Sequence, residues 1–184
     1  MGRAVESTAL KLPGFQTKQG TLFDQVFRDL QAQSAKLVPP RKALTPSVAR
    51  AVLPYLFIQE VVDPETVIMR LIGTVILSRN GVNATGRNLY ELMPPDMRRM
   101  SWLHLRRLLD TPCGSRMICT ESYDNREVVT EMVSFPFADA SDLPRFVIAA
   151  SAEVDLQELA ARGDSTKKFG EVLSMEYIDI GAGA

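Results

Sequence analysis

The stretch Met69–Leu92, MRLIGTVILSRNGVNATGRNLYEL, constrains the fold more than any other, because it demands a buried strand that gives way at once to short helices. Val67, Ile68, Met69, Leu71 and Ile72 form an apolar run broken only by Arg70, the pattern of a largely buried strand. Gly73 ends it, and Thr74 can cap a brief helix to Asn80, with Gly81 as its left-handed stop. Thr85 can cap a second short helix through Met93, stopped by Pro94 and Pro95. Helices this short are marginal on their own, so they serve to wall a pocket or to cover a sheet.

The rest of the chain supplies that sheet. Residues 1–20 lack any period and read as a flexible arm. Thr21 opens an amphipathic helix to about Leu37, and 21–44 reads as that helix and its linker. A short helix is expected near Pro46, with Val48, Val52 and Leu53 inward, then a strand at Tyr55–Val62 and a turn at Asp63–Pro64. A longer helix is expected over Asp96–Leu109, followed by strands at Ser115–Tyr123, Glu127–Ala138 and Arg145–Ala152, with a hairpin turn at Asp124–Asn125. Val133, Phe135 and Phe137 share one face, and Pro136 among them requires an edge or a bulge. Residues 156–184 are left as a C-terminal extension.

Composition narrows the function classes. The 184 residues suit one domain with extensions, and 46% hydrophobic with 23% charged residues is ordinary for a globular chain. A net charge of -1 argues against a nucleic-acid binder that needs a strongly basic face. No apolar run approaches the ~20 residues needed to span a bilayer, and a cytoplasmic location is expected. Cys113 and Cys119, if on one strand, would lie about 20 Å apart at ~3.3 Å per residue, too far to bond. His104 is the only histidine, which excludes a multi-histidine metal site, and no nucleophile–base pair or acid–base pair of carboxylates stands out. Neither catalytic nor metal-ligating residues are assigned, and the chain does not read as an enzyme.

The segments RLIGT and NGVNATGRNL ending in EL, followed by EMVSFPF at Glu131–Phe137, are similar to the short, standalone bacterial PAS domain proteins, and the terminal YIDIGAG resembles a tail common among them. The resemblance spans about residues 45–155. It implies an α+β, PAS-like fold: a five-stranded antiparallel sheet with short helices on one face, plus the N-terminal helix. It also implies a sensor or adaptor in signalling that has no effector domain of its own. Such a protein would act by binding a small molecule, an unidentified signalling partner, or both.

The family's cofactors can be weighed against these residues. Light-sensing members carry a reactive cysteine in a motif resembling GRNC; Gly86–Arg87–Asn88–Leu89 has leucine there, so cysteinyl-flavin chemistry is excluded at Leu89. Haem held through His104 is disfavoured by Arg106 and Arg107 close beside it, and no cofactor is required by the sequence. Arg98, Arg99, Arg106 and Arg107 read as a solvated helix face, the alternative being an acidic-partner or nucleic-acid surface.

Two groups of residues carry the site expectations. Trp102 and Leu105 on the longer helix, Met117 and Val133 from the sheet, and Leu89 at the rim would surround a ligand pocket. Leu22, Phe23, Val26, Phe27 and Leu30 form an apolar stripe on the N-terminal helix, richer than a solvated helix should carry. PAS-like domains often pair through a helix before the first strand, so a homodimer through this stripe is expected. The alternative is that the helix folds back over its own sheet.

Overall fold

A computed structural model describes residues 13–123, 126–155 and 172–183. The chain forms α1 (Lys18–Ser34), short 3-10 turns at Arg41–Ala43 and Leu53–Tyr55, β1 (Leu56–Asp63), β2 (Thr66–Ile72), α2 (Thr74–Asn80), α3 (Leu89–Leu92) and α4 (Pro95–Asp110). It continues with β3 (Gly114–Tyr123), β4 (Arg126–Ala138), β5 (Pro144–Glu153) and β6 (Val172–Ile178). The strands make one sheet in the order β2-β1-β5-β4-β3-β6. Neighbours pair antiparallel throughout. The architecture is α+β, with α1 on one face and α2–α4 on the other.

The sheet has six strands where the sequence reading placed five. β6, within the segment left as an extension, pairs along β3 with Met175 opposite Met117 and Tyr177 opposite Ser115. Its sequence, VLSMEYI, lacks a clean alternation because as an edge strand it is largely exposed. The expected turn at Asp124–Asn125, residues 1–12 of the expected arm and residues 156–171 lie outside the described residues.

α1 begins earlier than Thr21. Thr17 is its N-cap, the Oγ1 accepting from Gly20 N at 3.0 Å. The end of the expected arm is thus a built helix start. The stripe on α1 is consumed within the chain: Phe23 and Phe27 are 0% exposed and Leu30 is 2% exposed. Phe27 stacks on Phe135 at 4.2 Å between centroids and meets Phe137 edge-on at 5.5 Å, while Phe23 tilts against Phe135 at 5.6 Å. Leu22 and Val26 pack against the same cluster, half-buried. The expected dimer stripe is therefore an intramolecular cap on β4 and β5. Two phenylalanines of this helix thus meet two of β4, and each buried ring contributes about 1.5–3 kcal/mol.

Beneath the start of α1 lies a buried ion pair. Glu131 and Arg116 have side chains 0% and 1% exposed, and the Arg116 Nε donates to Glu131 Oε1 at 2.6 Å. Glu131 also accepts from the Gln16 and Thr17 amides at 2.8 Å each and from Thr17 Oγ1 at 2.7 Å. Arg116 Nη1 donates to Glu176 on β6 at 2.8 Å. Gly20 is required here, since a Cβ would come within 2.7 Å of the Glu131 carboxylate.

Local details place the remaining elements. α2 ends at Gly81, left-handed at φ 69°, where the sequence put the stop; its N-cap is Gly73 rather than Thr74. An added Cβ at Gly73 would overlap the Pro54 carbonyl. α3 is shorter than the expected 85–93 because Asn88, not Thr85, caps it. Asn88 Oδ1 accepts from Val67 N and Tyr90 N, and its Nδ2 donates to Glu65 O, which holds residues 86–88 along the outer edge of β2. Met69 N donates to Arg87 O and Gly86 N to Met69 O, completing that cover. Around Pro46 there is no regular helix; Val52 is buried while Val48 is 41% exposed. Pro136 lies past Ser134, the last β4 residue that pairs with β3. Two residues on, Ala138 N points away from β5 to Pro39 O. Alternation aims the position of the missing Pro136 donor to that same side, where β3 has ended.

Candidate ligand cavity

Strand alternation divides the side chains cleanly between the two faces. Leu56, Ile58, Val133, Phe135, Ile148 and Ala150 meet α1. On the opposite face, Val61, Val67 and Val147 meet Tyr90, Leu105, Leu108 and Leu109 from the helices. Between this second face and α2–α3 lies a cavity of about 450 Å³. Phe57, Met69, Ile72 and Met132 form its floor, with Ile76, Leu89 and Leu92 from α2 and α3 as its wall.

Of the expected pocket residues, Leu89 lines this cavity. Trp102 and Leu105 lie elsewhere on the same face: Leu105 is buried and Trp102 half-buried in the cluster that seats α4, with the Arg106 guanidinium 5.3 Å from the Trp102 ring centre. Met117 is half-buried opposite Met132, but only Met132 reaches the cavity wall. Val133 is a correction. It shares its face with Phe135 and Phe137, and that face belongs to α1, so it packs with Phe23 and Phe27 on the far side of the sheet. The five residues therefore do not converge.

Sequence reasoning passed over the polar members. Arg79, near the end of α2, has a side chain only 6% exposed; its Nη2 donates to Ser151 Oγ at 2.7 Å and lies 3.6 Å from Glu121 Oε2. Burial raises the Glu121 carboxyl above its ordinary range, an effect that Arg79 and a hydrogen bond from Thr130 oppose and that Glu153 reinforces. Gln59 of β1 also lines the cavity, is 9% exposed and makes no side-chain hydrogen bond among the described residues. The signal available was the alternation of β1: with Leu56 and Ile58 on one face, Phe57 and Gln59 must share the other.

The remaining reactive side chains lie away from the floor of the cavity or are muted. His104 does not line it. Its Nε2 is 3.3 Å from Ser115 Oγ and its ring lies 6.1 Å from that of Tyr177 on β6. Burial lowers its pKa below the usual 6.5. Unfolded chains then bind the proton first as pH falls, so this histidine's contribution is complete above about pH 6.5 and declines below it. The stability difference between wild type and His104→Gln should therefore shift against the wild type between pH 7.5 and pH 5, as read by thermal melts; a constant difference would contradict the burial.

Cys113 and Cys119 are both free thiols. Burial, with the nearby Glu121 charge, pushes Cys119 up to about 12. Its thiolate should be scarce, and alkylation by iodoacetamide at pH 8 should run about a thousandfold slower than for a free cysteine. A rate near that of a free thiol would show an open site. On α4, Arg106 pairs with Asp110 at 2.5 Å, an exposed pair of little energetic weight, and Arg98 donates to Met93 O. No helix among the described residues is long and apolar enough to cross a membrane.

This arrangement is an antiparallel sheet with order 2-1-5-4-3 in its first five strands and short helices walling a cavity on one face. The family model for the PAS domain matches residues 18–150, and the chain belongs to that family. Among solved structures it is similar to a light-oxygen-voltage domain studied with a flavin analogue, at 12% identity over 63% of this chain and 88% of that one, with a TM-score of 0.46. It is also similar to a Rhodobacter sphaeroides LOV protein (18% identity, 61% and 69% covered, TM-score 0.44) and to the Vibrio cholerae VqmA dimer (13% identity, 62% and 53% covered, TM-score 0.48). These likenesses concern the fold alone. No curated protein matches the sequence.

Proposed function

We propose that this PAS domain is a cytoplasmic sensor in bacterial regulation that binds a small molecule in the cavity between its sheet and α2–α3 and passes the signal to a protein partner. The observation that carries the reading is the cavity itself: about 450 Å³ walled by apolar side chains, with Arg79, Gln59 and Ser151 placed inside it. A domain that used this face only as core would fill such a space, since protein interiors pack to crystal-like density. The volume falls within the range of small-molecule sites. Because α2 and α3 are short, a bound molecule would shift the balance between their arrangements and so alter the surface a partner meets.

The test is native mass spectrometry of protein purified from its own host, beside the variant Leu92→Trp, which narrows the cavity mouth. A small molecule released from the wild type and absent from the variant is the expected result. An unliganded native protein that also fails to bind any member of a metabolite extract would overturn the reading.

A further inference from the structure

We propose that the molecule held in this cavity is uncharged, mostly apolar, and presents a paired hydrogen-bond donor and acceptor that is read by the side-chain carboxamide of Gln59. This rests on the reading of the cavity as a ligand site and names the class of ligand. Gln59 sits in the middle of β1, with Met69 of β2 and Val147 of β5 as its register partners, so its amide is framed by apolar side chains. It is 9% exposed, lines the cavity and makes no side-chain hydrogen bond among the described residues. Its carboxamide faces the cavity and is accessible to whatever occupies it. A carboxamide offers two N–H donors and a two-lone-pair acceptor on adjacent atoms. Its complement is therefore a group that itself carries a donor beside an acceptor, such as an amide or a lactam edge.

The charges in the cavity face each other, which weighs against an ionic ligand. Arg79 and Glu121 are the only charged residues that line it among the described residues. They face each other at 3.6 Å, and Arg79 also donates to Ser151. A ligand carboxylate would bring a second anion beside Glu121, and a ligand ammonium a second cation beside Arg79. Each would be desolvated by Phe57, Met69 and Ile76 without gaining an unshared counter-charge.

Four probes on one apolar frame test this at pH 7.5: 2-naphthamide, 2-naphthoate, 2-naphthylmethylamine and 2-methylnaphthalene, titrated by calorimetry or ligand-observed NMR. The amide is expected to bind at least about tenfold more tightly than either ion, because a site built for hydrogen bonding rejects analogues that leave it unpaired. In Gln59→Leu the amide should fall to the affinity of 2-methylnaphthalene, which itself should be unchanged. In Gln59→Glu the preference should move to the amine, a swap that a purely structural role for Gln59 would not produce. Equal or tighter binding of the naphthoate to the wild type, or an undiminished amide in a folded Gln59→Leu, would overturn the proposal and leave the cavity as a ligand site of another class. Failure of all four probes, 2-methylnaphthalene included, would overturn the ligand-site reading together with it.

Discussion

Replacing Glu131 with alanine is expected to destabilise the fold by about 3–5 kcal/mol, because it removes the buried counter-charge of an Arg116 guanidinium with 1% side-chain exposure. At this chain length that corresponds to a melting temperature lower by about 6–20 °C in a thermal scan. Three further bonds would go at the same time, those from the Gln16 amide, the Thr17 amide and the Thr17 hydroxyl. The start of α1 would then lose the carboxylate that orients it. The double variant Arg116→Met with Glu131→Met should be much less damaging, since replacing a buried pair by apolar groups is often close to neutral. A Glu131→Ala loss below about 1 kcal/mol would mean that Arg116 reaches solvent on its own.

The second large effect is expected at Phe27. Its ring is fully buried, stacked on Phe135 and edge-on to Phe137, so Phe27→Ala should cost about 3–5 kcal/mol in a urea titration. The charged variant Phe27→Asp separates two readings of α1. If the stripe were an interface between copies, the variant would be a well-folded monomer by light scattering. Covered as it is by β4 and β5 of the same chain, it should instead give a destabilised protein with its oligomeric state unchanged. A stable, dissociated Phe27→Asp protein would reverse the assignment made for this helix.

These two sites also show where the sequence was legible and where it was not. Alternation within strands and helical spacing on α1 were plain, and so was the α2 stop at Gly81, because each depends on neighbours within a few residues. What a face would pack against was not plain. The stripe on α1 reads the same whether it meets a second copy or β4, and Val133 was assigned to the cavity although its own phase with Phe135 and Phe137 put it under α1. Asn88 took the capping role expected of Thr85 because it also bonds Val67 and Glu65, residues more than twenty positions earlier.

The same distance hid the polar residues. Glu131 gives no local sign that it anchors Gln16 and Thr17, more than a hundred residues away. Arg79 and Glu121, 42 positions apart in sequence, meet only when α2 lies over the far end of the sheet. Gln59 looked like an ordinary polar break in YLFIQEVV; its meaning depends on a cavity that no single segment builds. β6 was missed for a related reason, since an exposed edge strand has no buried face to leave a pattern.

The ion pair under α1 also bears on where this protein can be cut. Its ligands come from residues 16 and 17, from β3 and β4, and from Glu176 on β6, whereas the family match runs from 18 to 150. A fragment trimmed to that match would keep both buried charges and the bond between them but discard the four bonds that residues 16, 17 and 176 supply. The span matched by the family and the smallest self-sufficient folding unit are therefore different objects in this chain. The first and last described segments are joined by one carboxylate and one guanidinium, so that loosening either end is felt at the other.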